Sequence, residues 1–199
     1  MAYPTVSGPY GLIPINLIGG QVFASATRQI PIATNSSTAI YFGDVVKLDS
    51  SGTGTLFKDT GTNSATPVGV FLGCSYTDPT FGKTFRQYYP GTTNITDIVA
   101  YVQDDPDALF KVAVVSTGTN ISYVTRANVG ENAVLVQTAG STITGDSKVA
   151  VSSTTNTTST WPIRIIDVIP ETQSSAGSYT EVVVKWNQGM HQYLNPTGV

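Results

Sequence analysis

From Ala39 to Cys74 the chain reads AIYFGDVVKLDSSGTGTLFKDTGTNSATPVGVFLGC, a succession of short apolar runs cut by Gly-Asp, Ser-Gly and Pro signals. Such a pattern folds as a string of short strands. Ala39 to Phe42 is apolar and β-prone, Gly43-Asp44 is a turn dipeptide, and Val45 to Leu48 is broken only by Lys47. Asp49-Ser50-Ser51-Gly52 supplies a polar turn, after which Thr55 to Phe57 and Val68 to Leu72 are two more strands. Gly69 and Gly73 flank a near-continuous apolar run, the pattern of a strand buried on both faces or approached closely by another backbone.

The same punctuation continues along the chain. Gln21 to Ile32 alternates in part, and Pro31 assigns it to a sheet edge. Thr77 to Lys83 is a turn, Thr84 to Tyr89 an aromatic strand closed by Pro90-Gly91, and Asp97 to Gln103 and Ala108 to Val115 are further strands. Asn120 to Val124 reads as a short strand, Arg126 to Gln137 as loop then strand with room for one helical turn, and Gly140 to Ala150 as strand and turn. The Ser/Thr/Asn tract from Val151 to Thr160 reads as a flexible loop, and Trp161 to Ile169 and Tyr179 to Trp186 as two strong strands joined by the polar loop Pro170 to Ser178. With no helix beyond a turn or two, the fold class is all-β: a sandwich or barrel of short antiparallel strands. The expected organisation is an extended Pro/Gly-rich N-terminal arm over 1–20, a β domain over 21–186 divisible near 21–115 and 116–186, and an irregular tail over 187–199.

Charge narrows the function classes. Lys and Arg total 10 against 13 Asp and Glu, too few and too scattered for phosphate neutralisation, so nucleic acid is not an expected partner. Charged residues are 12% of the chain, about half the roughly 25% of an ordinary domain, and Ser, Thr, Asn and Gly fill the polar positions. That neutral polar surface suits a β protein working in contact with other proteins. The opening MAYPTVSGPYGLIPINLIGG lacks a basic start and is interrupted by three prolines, and no apolar run approaches the roughly 18 residues of a membrane helix. A soluble protein made in a cytoplasm, without membrane contact, is expected.

Chemistry finds little to work with. One Cys and one His, Cys74 and His191, make neither a disulfide nor a zinc ligand set, and a Cys/His dyad forms only if they meet; a small buried thiol and a surface His are expected instead. Gly-x-Ser-x-Gly and Walker loops are absent from the sequence. Asp44, Asp59, Asp97, Asp167 and Glu181 are spread over the strands without picking out a glycosidase pair. Asp104, Asp105 and Asp107 raise a calcium site, but the spacing lacks the EF-hand pattern and reads as an Asp-Pro turn. Sequons at Asn35, Asn94, Asn120 and Asn156 reflect Asn/Ser/Thr richness. No enzyme activity and no cofactor are expected.

What remains is surface. The aromatics Tyr76, Phe81, Phe85, Tyr88 and Tyr89 crowd one hairpin and read as local core or a subunit contact. The 1–20 segment carries Tyr3, Tyr10, Leu12, Ile13, Ile15, Leu17 and Ile18, too much apolar surface to stand in solvent. These seven are the partner-binding candidates. Two readings of the segment stay open: an edge of its own domain, or an arm anchored on a neighbour.

Three stretches, the opening MAYPTVSGPYGLIPINLIGG, the central TAIYFGDVVKL with ATPVGVFLGCSY, and the later YVQDDPDALFKV, together resemble small β-rich virion proteins of tailed bacteriophages, of the capsid decoration or cement type. The likeness spans most of residues 1–186 and rests on structural motifs. It implies a many-copy β domain on the outer surface of the capsid, made in the host bacterial cytoplasm, which clamps neighbouring major capsid protein subunits and self-associates, often as a trimer. A phage tail or fibre component is the nearest alternative. A carbohydrate-binding β-sandwich stacking sugars on Tyr88, Tyr89 or Trp161 is the alternative from another class.

Overall fold

Strands form where β-branched and aromatic residues alternate, and a computed structural model of the chain, describing residues 6–34, 36–92, 95–173 and 178–198, contains twelve of them. They are β1 (Ile13–Leu17), β2 (Arg28–Pro31), β3 (Val45–Leu48), β4 (Leu56–Lys58), β5 (Gly69–Asp78), β6 (Gly82–Arg86), β7 (Val99–Gln103), β8 (Ala108–Val115), β9 (Asn132–Val136), β10 (Ala150–Asn156), β11 (Ile163–Val168) and β12 (Glu181–Trp186). Two single 3-10 turns, Arg126–Asn128 and Pro170–Thr172, are the helical content of the described residues. The fold is all-β, and it is a barrel fold.

Strands β8, β10, β9, β11 and β12 pair in that order, and β12 pairs back onto β8, which closes a five-stranded barrel. Every pairing is antiparallel apart from β8 with β10. Strand β1 fills the part of the β8 edge that β10 leaves open, from Ala108 to Lys111. The remaining strands form a second sheet in the order β2-β7-β5-β3-β4, with β6 on the far end of β5. An isolated parallel bridge from Ile32 to Leu56 brings the β2 side of this sheet round to β4.

The two sheets share a wall. In β3, Val45 packs with Phe110, Ile163 and Trp186 of the closed barrel, whereas Val46 packs with Phe71, Tyr89 and Val102 of the other sheet. In β5 the same division separates Val70 from Phe71. Both strands are therefore buried on two faces, which is why the sequence around them is nearly continuously apolar. Gly69 allows the closest approach here: a Cβ would lie 2.1 Å from the Gln103 carbonyl oxygen.

Several expectations are corrected by these pairings. The Val151 to Thr160 tract is a loop only from Thr157 on: β10 runs to Asn156 between β8 and β9, with Ala150, Val151 and Ser152 buried. A barrel strand faces solvent on one side, so Ser and Thr there satisfy the pattern as well as apolar residues do. Ala39 to Phe42 and Asn120 to Val124 contribute only single bridges, through Ile40, Phe42 and Ile121. The chain passes from one sheet to the other between β7 and β8, at 104–107, so β8 belongs with the C-terminal strands and not with 21–115. Part of the polar loop Pro170 to Ser178 lies outside the described residues, as do the sequon residues Asn35 and Asn94.

Candidate functional site

The N-terminal segment is the predicted contact surface, and most of it lies against its own chain. Gly11 and Gly43 both take positive φ, 84° and 85°, and stack backbone on backbone; a Cβ on Gly11 would sit 2.6 Å from the Gly43 carbonyl oxygen. That approach lets the Leu12 N–H donate to Gly43 O (3.0 Å) and the Gly11 N–H to Val149 O (3.1 Å), threading the segment between the two sheets. Leu12 is fully buried in the closed barrel's core. The half-buried Ile13, Ile15 and Leu17 lie on β1, and Leu17 packs against that core. Among the described candidates Ile18 alone is exposed, and Tyr3 lies outside the described residues.

Tyr10 fastens the segment chemically. Its phenol donates to the buried Glu181 carboxylate, whose Oε1 is also 3.1 Å from Lys111 Nζ, and that ammonium lies 5.5 Å from the Tyr10 ring centroid. Burial first, and the Glu181 carboxylate second, push the phenol far above its ordinary pKa. The extended-arm expectation is thus corrected for residues 6–17, whose apolar side chains find full or partial burial within the chain, while Ile18 stays exposed. Sequence left this open, since a Pro/Gly-rich apolar segment looks the same whether its acceptor is its own barrel or a neighbour's.

Each reactive side chain has a structural place. Cys74 is buried beside Tyr76 and Tyr89, and burial pushes its thiol up to about 12, which suppresses the thiolate. His191 is not a surface residue: it is fully buried, accepts from the Tyr193 N–H at 3.2 Å and meets the Tyr193 ring edge-on. No hydrogen bond joins it to Cys74 among the described residues. Asp44 is fully buried, 2.7 Å from Lys58 Nζ and 2.6 Å from Ser147 Oγ, so it ties the two sheets together. Asp59 accepts from the Gly61 and Thr66 N–H groups, Asp97 from Thr77, and Asp167 pairs with Arg126.

In the acidic turn, Asp104 pairs with Arg28, Asp105 accepts from the Asp107 N–H at 2.8 Å, and Asp107 pairs with Lys185 at 2.9 Å. No three His, Cys, Asp or Glu residues gather as a metal site among the described residues. The sugar platform does not assemble either. Tyr89 is buried with its hydroxyl 2.7 and 2.8 Å from the carbonyl oxygens of Ser36 and Thr92, Tyr88 stacks on Tyr41 (centroids 5.6 Å apart), and Trp161 is half-buried in another part of the chain.

The β5–β6 hairpin shows what does face outward. Cross-strand register puts Cys74 and Tyr76 on its inner face and Phe85, Thr77 and Lys83 on its outer one, where Ser75, opposite Phe85, is itself buried. Phe85 is 71% exposed, and Phe81 at the turn is 77% exposed. Strand β6 pairs with β5 alone among the described residues, so its other edge presents unpaired backbone groups. Sequence placed both Phe residues in an aromatic cluster; the alternation of the hairpin separates them from Tyr76 and Tyr89. No family model matches this chain, and no curated protein or solved structure compared with it matches either.

Proposed function

We propose that this chain is a virion structural protein that decorates a bacteriophage capsid and stabilises it by clamping neighbouring major capsid protein subunits. The observation that carries the reading is the β5–β6 hairpin, which displays Phe81 and Phe85 beside an unpaired strand edge while Cys74, His191 and the carboxylates named above serve the fold. The likeness of the three sequence stretches to decoration proteins supports it. An unpaired edge flanked by apolar side chains suits strand addition by a partner, with backbone bonds giving affinity and the Phe side chains anchoring it. Binding the assembled shell but not its free subunits stabilises that shell by mass action, and repeated sites add by avidity. Self-association, as a trimer, would multiply the contacts.

Quantitative mass spectrometry of purified particles from the source tests this through the copy number of the chain relative to the coat protein. A ratio near that of the coat supports shell decoration, a handful of copies moves the protein to the tail or fibres, and absence from particles overturns the reading. In the first case, replacing Phe81 and Phe85 by Ser should reduce binding to undecorated shells at least ~10-fold, as expected when central aromatic anchors are lost.

A further inference from the structure

The chain that follows β12 has a fixed base, a hinge and a lightly held tip. Asn187 is the base: its N–H donates to Pro162 O at 2.8 Å, and its Nδ2 donates to the carbonyl oxygens of Ser159 and Trp161 at 2.8 and 3.0 Å. Gly189 is the hinge, with φ at 80° and nothing within 4 Å of where a Cβ would stand. Beyond it, the hydrogen bonds that join residues 190–198 to the two sheets run through Gln192 alone among the described residues. Its N–H donates to Pro67 O at 2.8 Å, its Oε1 accepts the Leu48 N–H at 2.7 Å, and its Nε2 reaches Leu48 O at 3.5 Å. Leu194 and Asn195 only fold back on the His191 carbonyl oxygen. Two further contacts hold the tip: the burial of His191, and the Arg28 guanidinium 5.6 Å from the Tyr193 ring centroid.

The tip closes over an imidazole that has no place for a second proton. Nδ1 accepts the Tyr193 N–H at 3.2 Å, so the one ring proton belongs on Nε2, which is buried without an acceptor among the described residues. A proton added at Nδ1 would face the N–H that this nitrogen now accepts, and would set a charge in a site closed to water. The charged groups around the ring are already engaged. Asp104 pairs with Arg28, Asp105 accepts the Asp107 N–H, and Lys185, which reaches Asp107 from β12, is itself a cation. Lys47, Asp49 and Lys58 border the groove beside Gln192, one residue further on.

We propose that this segment is a proton-released strap: uptake of a proton by His191 frees residues 190–198 from the sheets while the barrel strands stay paired. The closed strap refuses the proton and the open one takes it as an exposed His does, so acid favours opening. With the open form titrating near the ordinary value of about 6.5, the open fraction rises about 25-fold from pH 7 to pH 5. Opening bares the Leu48 N–H and the Pro67 carbonyl, which Gln192 covers in the closed form. The proposal does not depend on the virion reading.

Native-state hydrogen exchange of the full chain at pH 7 and pH 5, corrected for intrinsic rates, tests this. The Leu48 and Gln192 amides should lose protection by about 25-fold over that range, and dilute urea should leave their protection unchanged, as for a local opening. The Val114 amide, which donates to Thr180 O in the barrel, should stay at least ~10-fold better protected than both at either pH and should weaken with urea. In His191→Gln the pH response of the two strap amides should shrink to less than about threefold. Gln192→Ala gives a second readout that leaves the imidazole in place: by loosening the strap it should raise the titration midpoint of the His191 ring signals by at least ~0.5 pH unit. A response under threefold in the native chain, Leu48 protection that falls with urea in step with Val114, the same response in His191→Gln, or a His191 midpoint unmoved by Gln192→Ala overturns the proposal.

Discussion

His191 makes the clearest case for how one side chain ties an irregular segment to a barrel. It sits in the C-terminal tail, where Gln192 donates its N–H to Pro67 O at 2.8 Å and accepts the Leu48 N–H at 2.7 Å through Oε1. Burial holds the imidazole below its ordinary pKa; the Val68 backbone, and after it the nearby Asp104 and Asp105, oppose that shift, and Lys185 adds to it. With the folded value lowered, the unfolded chain takes up a proton that the native chain refuses once pH drops below the ordinary value of about 6.5. The stabilisation from neutral His191 is therefore complete above that pH and is lost as pH falls through it towards the folded value. Urea denaturation of the native chain should show stability declining from pH 7 to 5, by at most about 1.4 kcal/mol per pH unit, and His191→Gln should flatten that decline. Since the chain has one His, a decline unchanged in the variant would refute this account.

Among the elements, β1 and the β5–β6 hairpin carry apolar side chains of similar size to opposite ends. Leu12, just before β1, is enclosed by the barrel core, so Leu12→Ala should cost about 2–5 kcal/mol. Phe85 points to solvent from β6, so Phe85→Ser should change stability by no more than about 0.5 kcal/mol. Chemical denaturation of the two variants decides it, and a Phe85→Ser loss as large as that of Leu12→Ala would place the hairpin in the core. Removal of residues 1–20, which would release a free arm, here deletes a strand and a core leucine. The elements themselves were largely legible: Val45 to Leu48 and Ala108 to Val115 stand as read, because strong apolar runs between turn residues have few other uses. β10 was not, since its Ser and Thr residues draw their strand state from neighbours on both sides.

At the scale of the molecule, the shared wall joins the two sheets into one unit. Leu12, Val45, Ala65 and Val70 belong to the closed barrel's core, and Asp44 reaches across to Ser147. Heat should therefore unfold the native chain in one transition, with calorimetric and van't Hoff enthalpies equal. Asp44→Ala leaves Lys58, nearly buried, without its carboxylate, which should cost about 3–5 kcal/mol and lower that single transition. Two resolved transitions by calorimetry would mean that the wall does not couple the sheets. Sequence by itself determined the all-β class and most strand positions, because period and turn chemistry are local properties of the chain. Tertiary structure alone decided barrel closure, the capture of residues 6–17 by their own barrel, the burial of His191 and the outward turn of Phe81 and Phe85. Each of these depends on which distant segment supplies the other half of a contact, and no local pattern encodes that choice.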